Sequence, residues 1–435
     1  MEAPPVHPAW RLDEPWPATL IGLLRGESAP EPDRVLAATA SFIGEQIDVL
    51  ELQPSPDEKR PWSLVVRIPG HELPVVVGCE RTKRMDEVPP ALREEVVASR
   101  WSVVVESLID EARPLVAWSR LATILGSIED VVAVLDATTG RWFDREEMAR
   151  SVLDPDLGPP EDVLWRVQAV SDREDVESGT VWLHTRGLLR CGLPELELLE
   201  FPGTHLEAGV RLLDAAAGLL LEDGPPPPEV PYALGPDASV TLVPWAEVAA
   251  TLDRESLGSD EDRAALSQET PNPLRARRAV LCDLEPRGSF RKIWTWPRSA
   301  IEVLERPEVA IYRSDTATVR SSGLARRRWP EVLSVLDRTS PSGALADDPV
   351  LLVGIPVGTD PEGRIEHGWL QVSRADDAGG SGLLLRPTLD GRSAGTVVDF
   401  TTDQLDGWRL VRGDVAIGPD DDSSDLETLL GRARS

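Results

Sequence analysis

The sequence predicts a multi-domain α+β protein with mostly antiparallel sheets, packed helices and a small β-rich C-terminal domain. Three observations carry this. β-rich runs come in pairs joined by turn residues, roughly two to each helical stretch, which is the pattern of hairpins rather than of βαβ units. The chain has 435 residues and an uninterrupted run from Pro225 to Pro228, which at ~100–200 residues per domain makes about two to four domains. Hydrophobic residues make up 41% and charged ones 28%, enough apolar surface to close real cores beneath an ordinary charged exterior.

The elements follow in order. Residues 18–24 and 47–52 read as strands. Residues 62–68 and 73–79 flank Pro69-Gly70, a turn signal, and so form a hairpin. Residues 102–106 and 131–135 are further β-branched runs, and 112–125 has helical character. A second hairpin joins 165–170 to 180–184 around a charged loop. Residues 205–221 form a helix with Leu206, Val210, Leu213, Ala217 and Leu220 on one face.

The proline run is stiff and cannot continue a helix or sheet, so it is expected to be a linker. The predicted organisation is an α+β domain at 1–224, the linker at 225–229, an Arg/Trp-rich α+β segment at 230–338, a β-rich domain at 339–418 and an acidic tail at 419–435. A second break is expected at 339–343, before Asp347-Asp348-Pro349. The β-rich part is read as four strands (350–356, 367–373, 382–387 and 408–411) with a helical turn at 401–405, forming a half-barrel. Asp360-Pro361-Glu362-Gly363 supplies a turn between the first two strands. Asp420-Asp421-Asp422-Ser423-Ser424-Asp425 makes the tail charge-dense and solvated.

Acidic residues outnumber basic ones 75 to 45, for a net charge of −30. Such a field repels nucleic acid and anionic membrane and attracts basic proteins, so a protein partner is expected, a basic one being favoured by charge. From Pro271 to Pro330 the balance reverses, with 13 basic residues against six acidic. There Arg275, Arg277, Arg278, Arg287, Arg291, Lys292, Arg298 and Arg326-Arg327-Arg328 stand among Trp294, Trp296 and Trp329. Interleaved arginine and tryptophan over 275–329 is compatible with RNA binding by stacking and phosphate pairing. Internal pairing with the acidic remainder is the preferred account.

The longest uncharged apolar run in a helical pattern, 215–221, has seven residues against the ~20 that a spanning helix needs. The start, Met1-Glu2-Ala3-Pro4-Pro5, lacks the basic-then-apolar order of a secretory signal. A cytoplasmic location is therefore expected, without a membrane partner. Cys79, Cys191 and Cys282 are odd in number and far apart, which is no disulfide framework and fits a reducing compartment. His7, His71, His184, His205 and His367 show no metal-ligand spacing, so neither a metal nor another cofactor is expected.

The densest chemistry-bearing stretch places Trp182, His184, Arg186, Arg190, Cys191 and Glu195 close together, with Gly187 and Gly192 permitting tight turns. A thiol beside cations has a lowered pKa, and His184 would serve as its base. This defines an enzyme or small-molecule sensor reading centred on His184, Arg190 and Cys191. An anion pocket built from the two arginines is an intermediate reading. The preferred reading is a strand, a turn and a strand, with Cys191 a small buried hydrophobe and Glu195 paired to an arginine.

A second cluster, Glu366, His367 and Trp369, lies on one expected strand, where Glu366 and His367 point to opposite faces. A packed Trp369 and a half-buried His367 are expected. Phosphate loops, dinucleotide-binding glycines and nucleophile elbows are absent from the sequence, and no catalytic residue is assigned.

The stretch V-W-L-H-T-R-G-L-L-R-C-G-L-P-E-L-E-L, from Val181 to Leu198, resembles the bacterial domain-of-unknown-function family numbered 4026. The match is carried by Trp182, His184, Thr185, Gly187, Arg190, Cys191, Gly192, Glu195 and Glu197. It departs at Arg186, where the family usually has a second histidine. The resemblance extends over roughly 15–225. Glu366-His367-Gly368-Trp369-Leu370-Gln371-Val372 and Asp406-Gly407-Trp408 make the C-terminal part similar to the YegJ-like family numbered 2314. The resemblance implies that the two domains occur together, and it implies an immunity or adaptor role; no activity or cofactor comes with it. A non-catalytic protein-interaction, adaptor or immunity-type module is thus the expected function.

Overall fold

The computed structural model describes residues 7–12, 14–54, 57, 59–85, 87–266, 274, 277–287, 291–306, 312–339, 349–359, 365–388, 390–413, 415–421 and 426. The chain forms two compact units, Met1–Ser314 and Asp315–Ser435. Three mostly antiparallel sheets with packed helices give the α+β class that the hairpin pattern predicts.

The first sheet of the first unit is built from β1 (Pro17–Leu24), β2 (Asp48–Pro54), β3 (Trp62–Arg67), β4 (Val75–Arg81), β5 (Trp101–Leu108), β6 (Val131–Asp136) and β7 (Arg141–Asp144). Their spatial order is β2-β3-β4-β5-β1-β6-β7, every neighbour antiparallel. Alternation sets the faces: Trp62, Leu64 and Val66 of β3 point into the core, with polar or half-buried residues between them. Helices α1 (Pro32–Ile43), α2 (Arg93–Ala98), α3 (Pro114–Gly126) and α4 (Arg145–Glu147) connect or flank these strands. Pro114 opens α3, where its missing N–H needs no partner. The helix buries Trp118, Leu121, Ala122 and Leu125. It lies so near β1 that a Cβ at Gly22 would stand 2.9 Å from the Leu125 side chain.

The second sheet comprises β8 (Arg166–Ser171), β9 (Thr180–Arg186), β10 (Glu195–Pro202), β11 (Pro231–Ala233), β12 (Ser239–Pro244) and β13 (Arg278–Arg287), in the order β11-β12-β13-β10-β9-β8. Strand β14 (Arg291–Thr295) pairs with β13. Strands β10 and β13 run parallel, and the chain between them supplies the crossover that a parallel pair requires. That crossover includes α5 (Leu206–Asp223), α6 (Trp245–Ala249) and α7 (Asp260–Leu266), while α8 (Arg298–Leu304) follows the sheet. The buried stripe of α5 includes Ala208, Leu212, Leu213, Ala216, Ala217 and Leu220, while the expected Leu206 and Val210 are half-buried at its margin. Cores of both sheets merge into one continuous apolar cluster.

This arrangement differs from the expected boundaries at 224 and 338. The proline run passes from α5 to β11 of the same sheet, and the Pro226 carbonyl accepts the Trp10 indole N–H at 2.6 Å. The 230–338 segment supplies β11 to β14, because Ala279, Val280, Leu281 and Cys282 are too apolar to lie anywhere but a sheet interior.

The second unit begins with α9 (Asp315–Thr339), which carries Pro330 inside it. Its strands are β15 (Val350–Thr359), β16 (Ile365–Asp376), β17 (Gly379–Leu384), β18 (Val397–Thr401), β19 (Gly407–Arg412) and β20 (Val415–Ile417). They form one antiparallel sheet in the order β18-β17-β16-β15-β19-β20. Ala325, Trp329, Val332 and Leu336 recur at helical spacing along α9. They pack on Val353, Ile355, Leu370, Phe400, Trp408 and Leu410 of the sheet. The expected four-stranded half-barrel is thus six strands closed on one face by a long helix. Arg326-Arg327-Arg328 and Pro330 had masked that helix in the sequence pattern. The expected break at 340–343, the Asp347-Asp348 pair, the turn at 360–363 and the tail from 422 onward apart from Leu426 lie outside the described residues.

Among the described residues no helix is long and apolar enough to cross a membrane.

Candidate functional site

The six residues of the first cluster lie on β9, the 3-10 turn Leu188–Cys191 and β10. The turn demands glycine at both ends. Gly187 sits at φ 129°, and a Cβ there would lie 2.3 Å from the Leu164 carbonyl oxygen. Gly192 sits at φ 75°, against the Glu111 carboxylate.

Glu195 closes the turn from within. Its carboxylate accepts from the Gly187 N–H at 2.7 Å and from the Thr185 hydroxyl at 2.7 Å. Thr185 Oγ1 in turn accepts the Leu196 N–H at 2.7 Å. The expected arginine partner of Glu195 is therefore replaced by backbone and hydroxyl donors. Arg190 is fully buried and reaches out of this sheet: it donates to Asp136 on β6 at 2.8 Å and to the carbonyls of Val163 and Leu164 at 3.0 Å each. Asp136 also accepts the Trp118 indole N–H at 3.1 Å. Arg186 donates to the Thr138 carbonyl at 2.6 Å. Both arginines thus hold the second sheet to the turn that follows β6. They do not line an anion pocket.

Trp182 and His184 face the other way, into a smaller core. Their rings are 4.6 Å apart, and the His184 Nδ1 lies 3.1 Å from the Thr185 carbonyl. Burial, reinforced by the nearby Arg278 guanidinium, pushes the His184 pKa down to about 3, so the ring is neutral at ordinary pH. Burial pushes the Cys191 thiol up to about 12, past the opposing effect of Arg190. His184 and Cys191 share no hydrogen bond. A protonated, buried thiol without a base is a packing residue.

Sequence reasoning missed the strongest ionic group in this region. Glu197 accepts from Arg263 at 2.8 and 2.6 Å and from Arg278 at 2.5 Å, all three side chains being buried. Burial opposes the Glu197 charge, and the two guanidiniums overcome it, leaving the carboxyl below its usual range. Arg263 is also sandwiched between the indoles of Trp182 and Trp245, at 4.6 and 4.2 Å from the ring centres. A signal was present: Glu195 and Glu197 alternate with Leu196 and Leu198 in a strand that also holds Leu199 and Phe201, and buried carboxylates need donors.

The second cluster is more open than expected. The His367 Nδ1 lies 2.5 Å from Asp406, whose hydrogen bond raises the imidazole pKa against the effect of partial burial. Asp406 also accepts the Ser322 hydroxyl of α9 at 3.1 Å. Trp369 is 39% exposed rather than packed. Its ring spans Gly354 on the neighbouring β15 and Gly407 on β19 beyond it, with the Arg409 guanidinium 5.5 Å from its centre. Glycines on β15 and β19 leave no side chain to cover it, which is why the ring lies on the sheet surface. Glu366 is half-buried and points away from His367.

A depression of about 370 Å³ opens beside β2 and β3, lined by Gln46, Asp48, Arg67, His71, Glu72 and Arg113, among others. His71 is buried at its floor, its Nε2 2.9 Å from the Ser107 hydroxyl. Ser107 Oγ also lies 2.9 Å from the Pro74 carbonyl and 3.0 Å from the Leu108 carbonyl, so the serine proton has acceptors besides the imidazole. Among the described residues no group of His, Cys, Asp and Glu is arranged to hold a metal ion.

Fold and clusters together define an α+β protein in which the polar residues of the first cluster are interior cross-links and those of the second lie at the sheet surface. Residues 167–274 carry a domain that matches the family described as "Protein of unknown function (DUF4026) C-terminal". This match begins later than the expected 15–225 and runs across the proline segment, in accord with β8 to β12 sharing one sheet. No curated protein and no solved structure matches the chain.

Proposed function

We propose that the chain is a non-catalytic protein-interaction module of adaptor or immunity type, bacterial and cytoplasmic, that binds a basic protein partner through its acidic surface. Its C-terminal unit is read as YegJ-like on the strength of Glu366-His367-Gly368-Trp369 and Asp406-Gly407-Trp408. One observation carries the proposal. Among the described residues the buried carboxylates Asp136, Glu195 and Glu197 are accompanied in the interior by Arg190, Arg263, Arg278 and Arg328, so the described interior takes up none of the acidic excess. The buried, protonated Cys191 and the neutral His184 weigh against the enzyme or sensor reading. Internal use of Arg278 and Arg328 weighs against RNA binding by the 275–329 segment.

Isolation of the tagged full-length chain from its host at low salt tests this. A stoichiometric basic partner released by raised salt is the expected result, since exposed charge pairs are screened within ~8–10 Å. A chain recovered alone, or a partner indifferent to salt, would overturn the proposal.

A further inference from the structure

Strand β2 ends the seven-stranded sheet, and among the described residues no strand pairs with its outer edge. Residues 48–53 are all exposed. Val49, Leu50 and Leu52 are 48, 46 and 55% exposed. The register puts Val49 opposite Val66 and Leu52 opposite Leu64, both buried, so these two side chains lie on the face that forms the core. Leu50 is the extra residue where the register shifts between Val49 and Glu51. The core face therefore continues for one strand beyond its cover.

Long edges with free backbone donors and acceptors recruit other strands unless they are shortened or carry lysine or proline. Three of the other edges are short, β11 and β20 with three residues and β7 with four, while β18 has five and β8 six, each still shorter than β2. Strand β2 has seven residues, with proline only at its end. From Gly44 to Glu58 the sequence has Glu45, Asp48, Glu51, Asp57 and Glu58 and no lysine or arginine. A second copy pairing edge to edge would bring two acidic, cation-free strands together, with like charges directly opposite where Asp48 or Glu51 meets its counterpart, a destabilising arrangement. An extended segment bearing cations and apolar side chains meets both the charge and the uncovered leucines.

Resting on the protein-binding reading above, we propose that the outer edge of β2 is the docking site for an extended, cationic and apolar segment of a partner protein, added as a further strand of the first sheet. Main-chain hydrogen bonds supply the attachment, and the alternating side chains supply selectivity. The depression beside Asp48 opens at the start of this edge, where the incoming segment enters or leaves it.

The test uses the full-length chain and a fluorescent, N-acetylated peptide alternating lysine and valine. The expected result is saturable binding at low salt, with slowed amide exchange across 48–54. The double variant Leu50→Lys/Leu52→Lys is expected to weaken binding ~tenfold or more with an unchanged melting temperature, because both side chains are exposed. Absence of peptide binding, protection elsewhere with β2 unprotected, or full binding by the double variant overturns the β2 site. A host partner retained equally by native and variant chains would do the same and leave the protein-binding reading standing. A self-associated native chain that the double variant dissociates would identify a second copy as the occupant and overturn the proposal.

Discussion

Arg263 donates to both carboxylate oxygens of Glu197, at 2.8 and 2.6 Å, while its guanidinium lies between the rings of Trp182 and Trp245. This one contact ties α7, which lies in the long crossover, to the central strand β10, and Arg278 at the start of β13 completes it from the parallel neighbour.

Removing the carboxylate leaves two guanidiniums buried without their counter-charge. Glu197→Gln should cost about 3–5 kcal/mol, the usual penalty for breaking a buried ion pair from one side. Urea unfolding followed by tryptophan fluorescence measures it. A loss below about 1 kcal/mol would show that the network is not a structural lock.

The three thiols should be silent in the folded chain. Cys79, Cys191 and Cys282 are all buried, and burial pushes each thiol up to about 12. An aromatic disulfide reagent at neutral pH should label none of them until denaturant is added. Rapid stoichiometric labelling of Cys191 alone would revive the sensor reading.

Gly187→Ala should be severely destabilising, because the new methyl would meet the Leu164 carbonyl oxygen at 2.3 Å with the backbone at φ 129°. We expect a loss above about 3 kcal/mol or failure to accumulate. Gly391→Ala, at φ 91° with open space around it, isolates the backbone cost from the clash and should be milder.

His184 and His367 should respond to pH with opposite signs. His184 is depressed to about 3 by burial, so its contribution to stability is complete above the unfolded value of 6.5 and is lost as pH falls below it. His367 is raised by Asp406; its contribution is complete below 6.5 and is lost as pH rises through the folded value. Because His367 is well exposed, its effect on stability is at most about 0.5 kcal/mol. Imidazole resonances recorded from pH 8 to 5 should show His367 titrating above 6.5 and His184 unmoved. Titration of His184 within that range would contradict its burial.

Trp329→Ala should unfold the second unit preferentially. Trp329 is 1% exposed, meets Phe400 edge-on at 6.1 Å and donates to the Asp376 carbonyl at 3.0 Å. The expected cost is about 3–5 kcal/mol. One transition in a thermal scan should move and the other should stay, which assigns the moving transition to the second unit.

What the sequence by itself determined was local. The hairpins at 62–79 and 165–184 were legible because alternation and turn residues are local properties, and so was the helix ending near Leu221. The crowding of Trp182, His184, Arg190, Cys191 and Glu195 on one strand-turn-strand unit was also visible, as was the acidic excess. Tertiary structure alone decided what those residues do. Arg190 meets Asp136 across 54 positions and Glu197 meets Arg263 across 66. No periodicity encodes such distances, because they follow from strand order. The same holds for the proline run, which reads as a boundary yet lies within one sheet, since β13 reaches β10 only through a parallel pairing. It holds for α9 too: its arginines obscured a stripe that emerges once Ala325, Trp329, Val332 and Leu336 have a sheet to cover. Burial, which converts a suggestive cluster into inert cross-links and leaves β2 uncovered, belongs to the assembled fold.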